Sequence, residues 1–200
     1  MKTLKLFVLT FAVVFATACK DNKKEEEEEE VNTEVEETVT QAEEMVEAVK
    51  EKKLSITLSP KSDSKVEGTI NFTEKDGMVT MVGTVTGLEE GEHAIHIHEK
   101  ADCSAADGTS SGGHWNPTGQ PHGEWGAETG YHKGDIGNLT ANANGRATIT
   151  KTTDEWCIGC GDETKDILGK AIIVHLDVDD FTTQPTGNAG ARVGCAGIIE

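Results

Sequence analysis

The 200-residue sequence is short of positive charge: 18 Lys and Arg stand against 36 Asp and Glu, for a formal net charge of −18. A chain this acidic offers no basic footprint to nucleic acid or to an anionic membrane surface. It also lacks an apolar run long enough to span a bilayer as a permanent helix, because the one from Leu6 to Val14 is too short. After residue 54 no helical periodicity of any length is found, which leaves strands and loops to build the fold. Cysteine is limited to five residues and histidine to seven, so the position of each one can be weighed.

The N-terminus has the layout of an export signal over 1–18: Lys2 and Lys5, the apolar run, then the small residues Ala16, Thr17 and Ala18. A cysteine directly after such residues, here Cys19, resembles the lipobox of bacterial lipoproteins, in which that cysteine is lipidated and becomes the mature N-terminus. The resemblance implies a periplasmic or cell-surface lipoprotein on a bacterial membrane, most naturally the outer one, touching the membrane only through its anchor. Residues 19–53 then form an acidic spacer in which Glu25 to Glu30 repel one another and stay solvated. Val31, Val35, Val39, Ala42, Val46 and Val49 recur every three or four residues, so the spacer is expected to be partly helical. With the spacer's net −8 and the signal's +2 removed, residues 54–200 carry −12.

That third segment is long enough for one well-packed core, and its pattern is that of an all-β protein. Leu54 to Leu58 alternates. Gly68 to Phe72 and Met78 to Thr86 flank Asp76-Gly77, while Ile136 to Thr140 and Ala147 to Thr152 flank Asn144-Gly145, so each pair reads as a hairpin. Further strands are expected at His93 to His98, Ala171 to Leu176 and Ala191 to Ile199. The architecture expected is an antiparallel barrel or sandwich.

Between His114 and Asp135 the chain is rich in Gly and Pro and follows neither a strand nor a helix period, so it reads as a long loop. Loops of this length inside a compact domain need a fastening. His114, His122, His132 and Asp135 offer three nitrogens and an oxygen, a donor set suited to tetrahedral zinc. In the strand G-E-H-A-I-H-I-H-E, residues 93, 95 and 97 share one face and 96 and 98 the other. His93 therefore turns inward with Ile95 and Ile97, as a hydrogen-bonded structural histidine, while His96 and His98 project together and can grip one metal. The same parity in I-I-V-H-L puts Ile172, Val174 and Leu176 inward and His175 outward with Ile173.

These stretches, with D-C-S, G-H-W-N-P, H-x-G-D-I-G-N, I-V-H-x-x-x-D-D and T-G-N-A-G-A-R-V-G-C in this order, resemble copper,zinc superoxide dismutase of the bacterial secreted or lipoprotein type. The resemblance covers essentially all of 54–200 and implies a Greek-key β-barrel with metals on its outer wall under long loops. It implies that His96, His98, His114 and His175 hold copper and that His114, His122, His132 and Asp135 hold zinc, with His114 shared. Asp179 would link His96 to His122, Arg192 would stand beside the copper, and Cys103 would pair with Cys195. The activity implied is conversion of superoxide to O2 and H2O2 by alternate reduction and oxidation of copper, with His114 taking up and delivering a proton. A monomer and a homodimer are equally open. A protein that stores or delivers the same metals without turnover would need the histidines but not Arg192.

Departures from the family pattern are few: Ala94-Ile95 replaces the more usual Gly-Phe, and one extra residue separates His122 from His132. No lysine lies between His175 and Arg192, where eukaryotic members use lysines to attract the substrate; Lys100 and Lys133 are candidates for that work, or ordinary solvated lysines. Setting Cys19 aside leaves four cysteines in a compartment that permits disulfides. Cys157 and Cys160, in W-C-I-G-C-G, lie outside the family pattern. They read as a local disulfide that stiffens its loop, with a redox pair or a copper-docking site as the sharper alternative.

Overall fold

A computed structural model describes residues 51–200. The expected signal segment 1–18, the lipidation site Cys19 and nearly all of the spacer lie outside the described residues. Eight strands follow in order: β1 Lys52–Pro60, β2 Glu67–Lys75, β3 Met78–Thr86, β4 Gly91–His98, β5 Gly137–Ala141, β6 Ala147–Thr153, β7 Ala171–His175 and β8 Arg192–Gly197. Their sheet order is β5-β4-β7-β8-β1-β2-β3-β6, antiparallel throughout, in a nearly closed Greek-key barrel. The single helical element among the described residues is a 3-10 turn at Thr109–Ser111.

Strands β1 to β3 alternate between buried and exposed residues, as the period of two requires. Ile56, Leu58, Ile70, Phe72, Met81 and Val85 meet Ile95, Ile97, Ile172 and Val174 inside the barrel. Asp76 and Gly77, both at positive φ (52° and 75°), close the β2–β3 hairpin with the turn that the Asp-Gly pair favours. Strand β4 departs from alternation: Ala94 to His98 are buried on both faces, because the barrel interior lies behind them and loops cover them in front.

Two expectations need correction. Strands β5 and β6 do not form a hairpin: β5 pairs with β4 and β6 with β3, so they lie at opposite ends of the sheet order. The 142–146 turn crosses the seam instead, tied by Asn142 Oδ1, which accepts from the amides of Asn144 and Arg146, and by the amide of Leu88, which donates to Gly145. Each strand finds a partner further away in sequence, and a tight turn can join two strands without pairing them. Leu176 is not inward either but 43% exposed. A register shift between Val174 and His175 ends the regular parity one residue before it.

The outer face of β7 and β8 carries a second small cluster, Ala171, Ile173 and Cys195, packed against Cys103. Cys103 and Cys195 are bonded across 92 residues, Cα to Cα 5.9 Å, and pin the loop after β4 to the wall of the barrel. Closing so large a loop stabilises the fold by about 4.6 kcal/mol in the chain-entropy account. In the core, Ile172→Ala should cost about 2–5 kcal/mol, the range for a fully buried aliphatic side chain that leaves a cavity. A denaturant midpoint unchanged from that of the parent chain would show that β7 does not pack as described.

Candidate metal centre

The outer wall formed by β4, β7 and β8 supplies the platform. Residues 96 and 98 of β4 sit opposite Ile173 and Ala171 of β7, so both histidines share the outer face with that small cluster. His175 follows on the same face and sits opposite Arg192 of β8. The ladder between β4 and β5 ends at Ile95, which leaves the last turn of β4 an open edge. The long loop fills that edge as a strand would. The Trp115 amide donates to Ile97 O (2.8 Å), the Ile97 amide to Gly134 O (2.9 Å) and the Gly134 amide to Trp115 O (3.0 Å). Those three bonds set His114 beside His98 and bring Asp135 next to His114. Position 134 must be glycine here, since a Cβ would come within 2.2 Å of Ile97 O.

Two buried clusters result. His96, His98, His114 and His175 each offer a ligand atom, all within 4.8 Å of one another, and the same holds for His114, His122, His132 and Asp135. His114 belongs to both. His93 belongs to neither: its ring nitrogens lie 3.2 Å from His175 O and 3.0 Å from Glu89 O, as the inward parity predicts.

Hydrogen bonds decide which ring nitrogen faces each cluster. His96 Nε2 donates to Asp179 Oδ2 (2.8 Å), His98 Nδ1 to Gly112 O (2.9 Å) and His175 Nδ1 to Gly190 O (3.4 Å). A neutral imidazole carries a single N–H, so the other nitrogen of each ring is left with a bare lone pair. His98 Nε2 and His175 Nε2 accordingly face each other at 3.4 Å as two acceptors. His96 Nδ1 and His114 Nε2 are buried with no hydrogen-bond partner at all. Four converging lone pairs with no donor among them fit a cation.

The second cluster is built around a carboxylate. Asp135 Oδ1 lies 2.9 Å from His114 Nδ1 and 3.1 Å from His132 Nδ1, and its Oδ2 lies 3.0 Å from His122 Nδ1. Burial opposes the charge of Asp135, yet hydrogen bonds from His114 and His132, with His122 Nδ1 close by but outside hydrogen-bond geometry, hold its carboxyl far below the usual carboxylate range. Asp179 Oδ1 takes the other nitrogen of His122 (2.8 Å), so one carboxylate ties His96 to His122 across the two clusters. Burial also lowers His114 to about 4 despite its bond to Asp135, and lowers His98 and His175 well below their ordinary value. His122 moves the other way: burial works against its charge, but Asp135 and Asp179 on its two nitrogens raise it to about 9.

The sequence profile described as copper/zinc superoxide dismutase (SODC) matches residues 66–198. The chain belongs to the copper/zinc superoxide dismutase family. Among solved structures, a double mutant of an SOD-like protein from Bacillus subtilis is 32% identical with a TM-score of 0.65, covering 73% of this chain and 97% of that one. The SOD-like protein from Bacillus subtilis without those substitutions gives 30% and 0.65, over 72% of this chain and 97% of its own. The clock protein EA4 gives 34% and 0.63, over 74% and 94%. Membership makes the chain a superoxide dismutase, an oxidoreductase, and implies copper and zinc as its metals; the two clusters could hold them.

Four residues around the dismutase clusters escape sequence reasoning. The Asn138 side chain exchanges two hydrogen bonds with the backbone of Asp179: its Nδ2 donates to Asp179 O (3.0 Å) and its Oδ1 accepts from the Asp179 amide (2.8 Å). Gln184 does the same for His122, at 2.8 Å in each direction. Gly187, at φ 65°, allows the chain to pass so close that a Cβ would fall 1.8 Å from Asp179 Oδ1. Glu155 binds both Tyr131 and Lys133, so Lys133 is paired and not free to attract an anion. Asn138 closes the H-x-G-D-I-G-N stretch and Gly187 stands in T-G-N-A-G-A-R-V-G-C, so both lie in stretches that carry the family resemblance; Gln184 and Glu155 carry no local signal.

The histidine pKa directions predict how metal binds. In the metal-free protein His122 holds a proton at pH 7, since its pKa lies above the ordinary 6.5 at about 9, and that contribution to stability is lost as pH rises through 9. A metal ion bound in this cluster would displace that proton, so its uptake at pH 7 should release it and the apparent affinity should rise with pH up to about 9. Asp179→Asn should diminish the release and loosen metal by about 10- to 100-fold. Calorimetry in buffers of different ionisation enthalpy checks both, and equal proton release from the two proteins would count against the role given to Asp179.

Proposed function

We propose that the chain is a working copper,zinc superoxide dismutase that protects a compartment outside the cytoplasm, with copper held by His96, His98, His114 and His175 and zinc by His114, His122, His132 and Asp135. The observation that carries this reading is the set of four imidazole lone pairs facing one another without a donor. Copper in an all-imidazole site supplies the one-electron redox change, and zinc, which has no redox chemistry, supplies fixed charge and holds the loop.

The chain's own part is positioning and proton handling. His114 is neutral at pH 7, with Nδ1 turned to Asp135 and Nε2 free, so Nε2 is the atom at which a proton for the peroxide product can be held. Asp179 keeps the rings of His96 and His122 in their tautomers. Arg192 is half-buried and braced by Gly108 O (2.8 Å) and Ser111 Oγ (3.0 Å), which fixes a cation on the strand opposite His175. A braced guanidinium attracts a small anion without having to be ordered first. The domain around it carries −12, so the attraction has to be local.

The two disulfides are consistent with an extracellular member of the family. The lipobox-like residues before Cys19 support a bacterial lipoprotein held by an acidic spacer, and the mass of the mature N-terminal peptide tests it: an unmodified terminus beyond Cys19 removes the anchor. The metal-loaded protein should remove superoxide catalytically, whereas one that only stores metal would not. Arg192→Glu should lower the second-order rate steeply while both metals stay bound, and the parent rate should fall only weakly with salt. Unchanged turnover in the variant, assayed at matched metal content, would remove Arg192 from substrate attraction.

A further inference from the structure

Cys157 and Cys160 are bonded to each other away from both histidine clusters. Closing so short a ring constrains the unfolded chain far less than the long disulfide does. The loop does not depend on it. Trp156, Ile158 and Ile167 anchor the loop in the core. The Cys157 amide donates to Lys165 O (2.9 Å) and the Ile167 amide to Cys157 O (3.1 Å). Asp166 accepts from the amides of Gly159 (2.9 Å), Gly161 (2.9 Å) and Leu168 (3.0 Å). Opening the disulfide would therefore leave the backbone of the loop in place and let the two sulfurs turn apart on their own side chains.

We propose that Cys157 and Cys160, with Asp166 beside them, form a third metal site that is closed by the disulfide, opened by a thiol reductant, and selective for Cu(I). An Asp166 oxygen lies within 4.8 Å of both bonded sulfurs, so the carboxylate stands within reach of an ion held between them once the S–S bond opens. Cys160 is exposed and Cys157 buried, so a reductant reaches Cys160 first. A cleft of about 520 Å³, lined by Trp115, Pro117, Gly161, Asp166 and Lys170, adjoins the loop on the side of the Asp166 carboxylate. A thiolate, RS−, attacks Cys160 Sγ and Cys157 leaves as a thiolate; a second thiol then releases Cys160 and departs as RSSR. Two electrons and two protons are thereby transferred to the pair, and binding of the ion displaces the two protons. The amide of Asp162 already points at Cys160 Sγ (3.5 Å), an arrangement that favours the thiolate.

The choice of ion follows from the donor count. Asp166 has three of its acceptor positions taken by amides, so the site amounts to two thiolates and at most one oxygen. Zinc prefers four ligands, whereas two soft thiolates suffice for Cu(I).

The test starts from the protein with both histidine clusters filled, reduced under nitrogen by a dithiol, desalted and titrated with Cu(I) against a chromogenic Cu(I) chelator. The reduced protein should retain one equivalent more than the oxidised protein and more than Cys160→Ser, with a new ultraviolet thiolate-to-copper absorbance. Cys160 is exposed, so this variant keeps its fold, and alkylation with peptide mapping reports which disulfide has opened. Equal retention by the reduced protein and Cys160→Ser would overturn the site. Opening of Cys103–Cys195 before Cys157–Cys160 would overturn the gate, and preferential uptake of Zn(II) would overturn the assignment to Cu(I).

Discussion

The site depends on one constraint: a neutral imidazole has a single N–H, so fixing that N–H on one side exposes a lone pair on the other. Asp179, Gly112 O and Gly190 O take the N–H groups of His96, His98 and His175. None of these acceptors belongs to a cluster. Together they force the free nitrogens of the three rings to converge, and in a buried space such lone pairs are satisfied by a cation or not at all. Free rotation of the rings would let each lone pair find a donor, and the attraction for a metal would fall.

The barrel makes that constraint possible by presenting rigid outer faces. Residues 96 and 98 need no loop to hold them, since a strand sets their direction and the partner register sets their distance from β7. Loop residues are harder to fix, and here the loop borrows the open edge of β4 through Trp115 and Gly134. The disulfide to Cys195 and the Arg192 side chain brace its other end, near Gly108 and Ser111. His114 is thus positioned by sheet geometry even though it lies in no named strand, which is what a ligand belonging to two clusters requires.

This division explains what could be read from the sequence. The histidines on strands were legible because the period of two fixes their faces from a handful of neighbours, and His93 was separated from His96 and His98 on that ground alone. The boundary of β7 was not, because the register shift after Val174 leaves no mark in composition and put Leu176 on the wrong face. Asn144-Gly145 forms the turn its residues predict without pairing the strands it joins, since pairing is decided by which distant strand offers the longer ladder. Lys133 could not be told from a free lysine until Glu155 was placed beside it. Gln184 acts by closing on a backbone and has no local pattern; Gly187 lies in the T-G-N stretch, but its action, standing aside for Asp179, shows only in three dimensions.

The two clusters differ in charge, and that difference bears on which metal each suits. The first is made of imidazoles alone, and burial keeps His98, His114 and His175 neutral at pH 7. It adds no fixed charge, so an ion there can change its charge by one without losing a strong anionic partner. The second contains Asp135, with Asp179 behind His122, and both carboxylates stay ionised against the effect of burial. Fixed negative charge favours a divalent ion that never changes state, and it stabilises the protonated His122 when that ion is absent. His114 joins a neutral pocket to a charged one, so the field of the Asp135 and Asp179 carboxylates acts on the ring that the two clusters share.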